Sequence, residues 1–195
     1  PVYGKSINET EGKKNCFKLM EYISSKVEVT GIKVIIENMC ANFQNTYPVT
    51  EYDYLDFFRK FPRLGMLLDT GHALSRNNMD ELVKLNGNIL QIHLHDIRYD
   101  FSGKIRGHFP IRKKTFFDPL KGVAAKNPIV FVFEHGADTL EEDILKEKKM
   151  LEEFLAKDWS KHFANFDWLM LKEDHGSNIE NYFSCKNYLP LSLIL

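Results

Sequence analysis

Four short apolar runs in this chain each stop at an ionisable side chain. They are Ile32-Lys33-Val34-Ile35-Ile36-Glu37, Leu64-Gly65-Met66-Leu67-Leu68-Asp69, Ile89-Leu90-Gln91-Ile92-His93 and Ile129-Val130-Phe131-Val132-Phe133-Glu134. Runs of this length, rich in Ile, Val, Leu and Phe, read as strands buried on both faces, as in parallel sheets. A carboxylate where such a strand leaves the core is hard to explain by packing, because an unpaired buried charge is costly. One cation shared by the four strand ends accounts for all of them together.

Amphipathic segments alternate with these runs. Residues 15–26 set Phe17, Met20 and Ile23 at helical spacing, and Thr50 is placed to cap a helix over 51–61, with Asp53 answering it as an incomplete capping box. Residues 79–85 predict a short helix, and 116–125 another, with Pro119 suited to its first turn. Thr139-Leu140-Glu141-Glu142 opens the strongest helix, whose stripe of Leu140, Ile144, Leu151 and Leu155 runs to about residue 157. Such alternation implies a parallel α/β sheet, either a β/α barrel or an open doubly wound sheet. No glycine-rich phosphate fingerprint follows any strand, which favours the barrel.

The alternation predicts a barrel unit over residues 1–157 and a separate extension over 158–195. In the extension Trp159, Phe163, Phe166, Trp168, Leu169 and Leu171 read as a helix, residues 173–178 as a turn, and the remainder as irregular. A chain of 195 residues with 44% apolar content suffices for one core, and a net charge of −1 gives no global reason to expect nucleic acid or an anionic membrane as partner. Three widely spaced cysteines make neither a disulfide framework nor a thiolate zinc motif, so a reducing, cytoplasmic setting is expected. No run of 18 apolar residues exists, so no transmembrane helix is expected. The opening Pro1-Val2-Tyr3-Gly4 reads as the end of a strand entering a loop, and a preceding segment is expected.

Three places carry most of the chemistry. In Asp69-Thr70-Gly71-His72 the glycine permits a tight bend, and His72 turns back toward the centre that Asp69 faces. In Ile92-His93-Leu94-His95-Asp96, strand period puts His93 and His95 on one face; His93 is the deeper ligand candidate, and His95 or Asp96 a group that fixes its imidazole. Residues 98–121 carry seven positive charges against Asp100 and Asp118 and read as a basic loop able to bind phosphate, with Arg98 and His108 inside it.

The segments Ile36-Glu37-Asn38-Met39, Leu68-Asp69-Thr70-Gly71-His72-Ala73, Ile92-His93-Leu94-His95-Asp96, His108-Phe109-Pro110-Ile111 and Phe133-Glu134-His135-Gly136 follow one another in order. Together they resemble the xylose isomerase-like TIM-barrel superfamily, which includes sugar phosphate isomerases and epimerases and the apurinic-site nuclease endonuclease IV. The resemblance implies a (β/α)8 barrel of which about the last five strands are present, the missing part being supplied by an N-terminal segment or by another chain of an oligomer. It implies a divalent ion (Mn²⁺, Mg²⁺ or Zn²⁺) held by Glu37, Asp69, His93 and Glu134. In nuclease members the positions of His72 and His108 help hold further zinc ions. The chain departs from the nuclease pattern Asp-x-His, which here reads Arg106-Gly107-His108, and its Arg112-Lys113-Lys114-Thr115 replaces a glycine-containing turn.

The function expected on this basis is metal-dependent isomerisation or epimerisation of a small sugar or sugar phosphate. Glu37 and Glu134 would move protons beside a carbonyl, and His72, His95, Asp96, Arg98 and His108 would bind substrate. The alternatives are a zinc-dependent nuclease acting on DNA and a non-catalytic or truncated barrel homologue.

Overall fold

The computed structural model of the chain describes residues 9–41, 46–123, 129–158, 171–175 and 178–183. The elements run α1 (Glu9–Thr30), β1 (Ile35–Glu37), α2 (Glu51–Lys60), β2 (Gly65–Asp69), α3 (Thr70–Arg76), α4 (Met79–Leu82), β3 (Ile89–Leu94), β4 (Asp96–Tyr99), β5 (Ile105–Phe109), β6 (Val130–Gly136), α5 (Glu141–Asp158), β7 (Leu171–His175) and β8 (Asn178–Phe183). Short 3₁₀ turns cover Val83–Leu85 and Lys114–Gly122. The four apolar runs are the four parallel strands, side by side in the order β1-β2-β3-β6, with α2 connecting the first pair, α3 and α4 the second, and the β4–β5 hairpin and a 3₁₀ turn lying between β3 and β6. This is the α/β arrangement of part of a TIM barrel.

Register sets which residues share a face. Glu37 lies opposite Leu67, Asp69 opposite His93, and His93 opposite Val132, two residues before Glu134. With the two-residue side-chain period, Glu37, Asp69, His93 and Glu134 all fall on one face, staggered as a tilted barrel requires. A bulge at Leu90 keeps this alignment: Met66 pairs with Ile89 and Leu67 with Gln91, so Leu90 is left over and lies across Gly65. Ile36, Met66, Leu68, Ile92, Leu94, Phe131 and Phe133 occupy the opposite face, in the core beneath the helices. Phe17 of α1 packs against Phe57 of α2 and Phe61 at its C-cap, and Phe117 of the second 3₁₀ turn stacks on Phe154 of α5.

Several expectations change in detail. The capping box of α2 is complete: the Thr50 hydroxyl accepts from Asp53 N–H at 3.2 Å and the Asp53 carboxylate from Thr50 N–H at 3.0 Å. The segment expected as a helix over 116–125 is a 3₁₀ turn that starts at Lys114. Helix α5 begins after Leu140, which stays exposed, and its buried face is Glu147, Leu151, Phe154 and Leu155. The basic loop opens with an antiparallel hairpin of β4 and β5, because Asp100 organises its turn by accepting from the N–H groups of Ser102 and Lys104. Beyond α5, residues 171–175 and 178–183 pair as antiparallel strands, and β8 lies antiparallel to β6, where an irregular tail and a turn are expected from the sequence. The helix expected from residue 159 lies mostly outside the described residues.

Candidate metal centre

Asp69 is the last residue of β2 and the N-cap of α3, and its Oδ1 accepts the His72 N–H at 2.6 Å. Its side chain is fully buried, at 0% exposure. Asn38, just past β1, grips the Asp69 backbone twice: its Nδ2 donates to the Asp69 carbonyl at 2.9 Å and its Oδ1 accepts the Asp69 N–H at 2.7 Å. This carries the sheet hydrogen bonding one step beyond the strand ends and fixes the Glu37 and Asp69 backbones relative to each other. Thr70 does the same between β2 and β3, with its hydroxyl on the carbonyls of His93 (2.9 Å) and His95 (3.1 Å).

Three imidazoles surround the Asp69 carboxylate. His95 Nε2 lies 3.0 Å from Oδ1, His72 Nδ1 3.7 Å from Oδ1, and His93 Nδ1 3.9 Å from Oδ2. Burial alone would push the carboxyl up. The imidazoles of His95, His72 and His93 outweigh it and hold Asp69 well below the usual carboxylate range. His93 Nδ1 also sits 2.8 Å from Glu134 Oε2; burial works to raise the Glu134 carboxyl, but this hydrogen bond prevails and lowers it. For His72, burial favours the neutral ring, yet Glu37 at 3.1 Å and Asp69 overcome it and raise its pKa to about 9. The His108 imidazole goes the other way, lowered by burial and by the neighbouring His95.

Glu37, Asp69 and His93 each offer one ligand atom, all within 4.8 Å of one another, and Glu134 Oε2 lies 2.8 Å from His93 Nδ1. Two further overlapping groups of ligand atoms are Asp69-His72-His95 and His95-His108-Glu134. The donor set fits a hard or borderline divalent ion: two carboxylates and an imidazole converge, a third carboxylate contacts that imidazole, and the central carboxylate is cut off from water. The His95 ring is held at both nitrogens: Nδ1 faces the His108 N–H at 2.9 Å and the Asp96 carbonyl at 3.2 Å, and Nε2 faces the Asp69 carboxylate at 3.0 Å. His108 makes that bond from a left-handed backbone (φ 63°), and its ring stacks on His95 with centroids 4.4 Å apart. Gly71 leaves the room His95 needs, since a Cβ there would meet the ring carbon at 1.8 Å.

Of the remaining expected residues, Asp96 Oδ1 takes its neighbour's N–H, that of Ile97, at 2.8 Å. Arg98 stands apart: it is exposed on the hairpin, with its guanidinium 4.2 Å over the Phe109 ring. Arg106 pairs with Asp100 at 3.2 Å on the hairpin surface. Cys40, His72, His95 and His108 line a cavity of about 160 Å³ beside the ligand cluster.

Some site-building residues are not singled out by the sequence reading. Gln91 sits in a strand run and bonds His93. Glu147 falls where α5 should be apolar: it is fully buried, 2.8 Å from His135 Nε2, and accepts the Ile111 N–H. A charge inside a helical stripe is the signal that marks it.

A family model described as xylose isomerase-like TIM barrel matches residues 1–154. The chain belongs to this family. Its members include sugar isomerases and epimerases as well as endonuclease IV, and metal binding is common among them. No curated protein and no solved structure matches the chain. As a member of the family the protein carries its clustered acidic and histidine side chains where barrel enzymes carry chemistry, at the carboxyl ends of the parallel strands. Among the described residues, no helix is long and apolar enough to cross a membrane.

Proposed function

We propose that the protein is a metal-dependent isomerase or epimerase of a small sugar or sugar phosphate. One arrangement supports this above the others: Glu37 and Glu134 flank the cluster from its two outer strands, while Asp69 and His93 lie between them, more deeply buried. The outer carboxylates keep 28% and 15% side-chain exposure against 0% and 8% for the inner pair. The inner residues hold, and the outer ones remain open to a substrate.

Glu37, Asp69, His93 and Glu134 would hold the ion, whose chemistry is to polarise a carbonyl and the hydroxyl beside it. Within that frame one glutamate removes the proton next to the carbonyl. The other returns a proton, to the neighbouring carbon in isomerisation or to the opposite face in epimerisation. His72, with its Nδ1 committed to the Asn38 carbonyl at 2.8 Å and to Glu37, presents its remaining edge toward substrate hydroxyls. The small cavity beside His72 and His108 suits a compact polar substrate.

The test is deuterium exchange in D₂O over a panel of ketoses and ketose phosphates with Mn²⁺ or Mg²⁺, followed by proton NMR. Exchange at the carbon beside the carbonyl is expected, and Glu134→Gln should slow it by about 10²-fold or more. Exchange at the wild-type rate in that variant refutes the assignment.

One observation favours a second reading, an endonuclease IV-like hydrolase: the three ligand groups overlap and involve His72 and His108 as well. Two or more tightly bound zinc ions per chain, with cleavage of apurinic DNA, would select it over the isomerase. A single exchangeable ion with no nicking of such DNA would reject it.

A further inference from the structure

His93 touches three groups. Its Nδ1 faces Glu134 and, more distantly, Asp69, while its Nε2 points the other way, to the Gln91 side-chain amide nitrogen at 2.8 Å. Gln91 is two residues earlier on β3, on the same face and one pleat deeper, and is only 6% exposed. A primary amide at that depth, in a strand otherwise made of Ile, Leu and His93, loses its water and is stabilised only by a partner.

With the ring neutral, the contact has two settings. With the amide nitrogen toward the ring, Nε2 accepts, so Nδ1 carries the proton and donates it to Glu134. That arrangement balances the site without an ion, but it hides the Nδ1 lone pair. With the amide turned over, the ring releases its Nδ1 proton to solvent and takes one up at Nε2, which donates a hydrogen bond to the amide oxygen, and the Nδ1 lone pair faces Glu134 and Asp69. A glutamine serves both settings because its two ends differ only in hydrogen-bond sense. A leucine serves neither, and a glutamate serves the second alone.

We propose that Gln91 is a positioning residue that sets the His93 tautomer, turning over when a divalent cation enters so that Nδ1 becomes a ligand. The inference rests on the cation reading above and deepens it: it assigns the ligand atom of His93 and the group that supports it. Outer groups of this kind typically change metal affinity by about 10–100-fold.

The experiment uses the full chain and Zn²⁺, which is diamagnetic. Long-range proton–nitrogen spectra of the histidine rings give the His93 tautomer directly, with His93→Gln assigning the signals. At a pH high enough to keep the His93 ring neutral, the wild-type protein should show Nδ1–H without Zn²⁺ and Nε2–H with it. Gln91→Glu should show Nε2–H already without Zn²⁺, and should bind Zn²⁺ at least as tightly as wild type. Gln91→Leu should bind Zn²⁺ about 10–100-fold more weakly while keeping the wild-type circular dichroism. If Gln91→Leu does not fold, the wild-type and Gln91→Glu spectra decide alone. Zn²⁺ uptake with the His93 tautomer unchanged overturns the inference and leaves the cation reading standing. No Zn²⁺ uptake by wild type overturns both.

Discussion

Gly71→Ala is a small substitution with a large expected effect. Gly71 is the second residue of α3, where alanine would ordinarily favour the helix by about 0.5–1 kcal/mol. Here the added carbon would stand 1.8 Å from His95 Cε1 and 2.2 Å from its Nδ1. The ring cannot swing aside cheaply, because Asp69 holds one nitrogen at 3.0 Å and the His108 N–H the other at 2.9 Å. Moving it forfeits a hydrogen bond to a charged group, about 2 kcal/mol, and a neutral one, about 1 kcal/mol. Overpacking adds about 1–3 kcal/mol. After the helix gain is set against these, the net loss is about 3–5 kcal/mol. Urea unfolding of the cation-free protein measures it, with His95→Ala as the second arm. In the His95→Ala background the same glycine substitution should lose most of its penalty, since the clashing ring is gone. A Gly71→Ala protein as stable as wild type, or a penalty undiminished by His95→Ala, would refute the argument.

Two further predictions concern the same site. Asn38→Ala removes both bonds to the Asp69 backbone and leaves a buried N–H and carbonyl unpaired; it should destabilise by about 2–4 kcal/mol in urea unfolding, and a loss under 1 kcal/mol would show that β1 and β2 hold their ends without it. His72 has a folded-state pKa of about 9 against an ordinary 6.5, so its stabilising contribution is complete below about pH 6.5 and is lost as pH rises through 9. In the cation-free protein the stability gap between wild type and His72→Gln should therefore shrink by about 3 kcal/mol from pH 6 to pH 10, and a gap that is constant or widens would contradict the ion pair with Glu37 and Asp69.

The legibility of this chain in its sequence follows from what each residue does. The four strands are readable because a parallel strand buried on both faces must be apolar throughout, so Glu37, Asp69, His93 and Glu134 stand out at its end. Their stagger was not readable, since it depends on the Leu90 bulge. The hairpin was obscured by its charges: Arg98 and Arg106 face solvent, and the alternation of Ile97 and Tyr99 with Asp96 and Arg98 is short. Its turn, Asp100-Phe101-Ser102-Gly103, did carry a signal, because an Asp two residues before a Ser can fold back on the backbone. The stripe of α5 failed at both ends of its logic. Leu140 precedes the helix and is exposed, while Glu147 takes a core position because His135 and the Ile111 N–H meet it there. Gly71 read as a bend, whereas its missing side chain is the seat of His95.

The claim beneath all of this is that Glu37, Asp69, His93 and Glu134 form one cation site. Calorimetric titration of the cation-free protein with Mn²⁺, repeated on Asp69→Asn, tests it most directly. Saturable binding is expected in the wild-type protein and at least about 100-fold weaker binding in the variant, because the buried central carboxylate is removed while its hydrogen-bonding shape is kept. Equal binding by both proteins, or none by either, would contradict it.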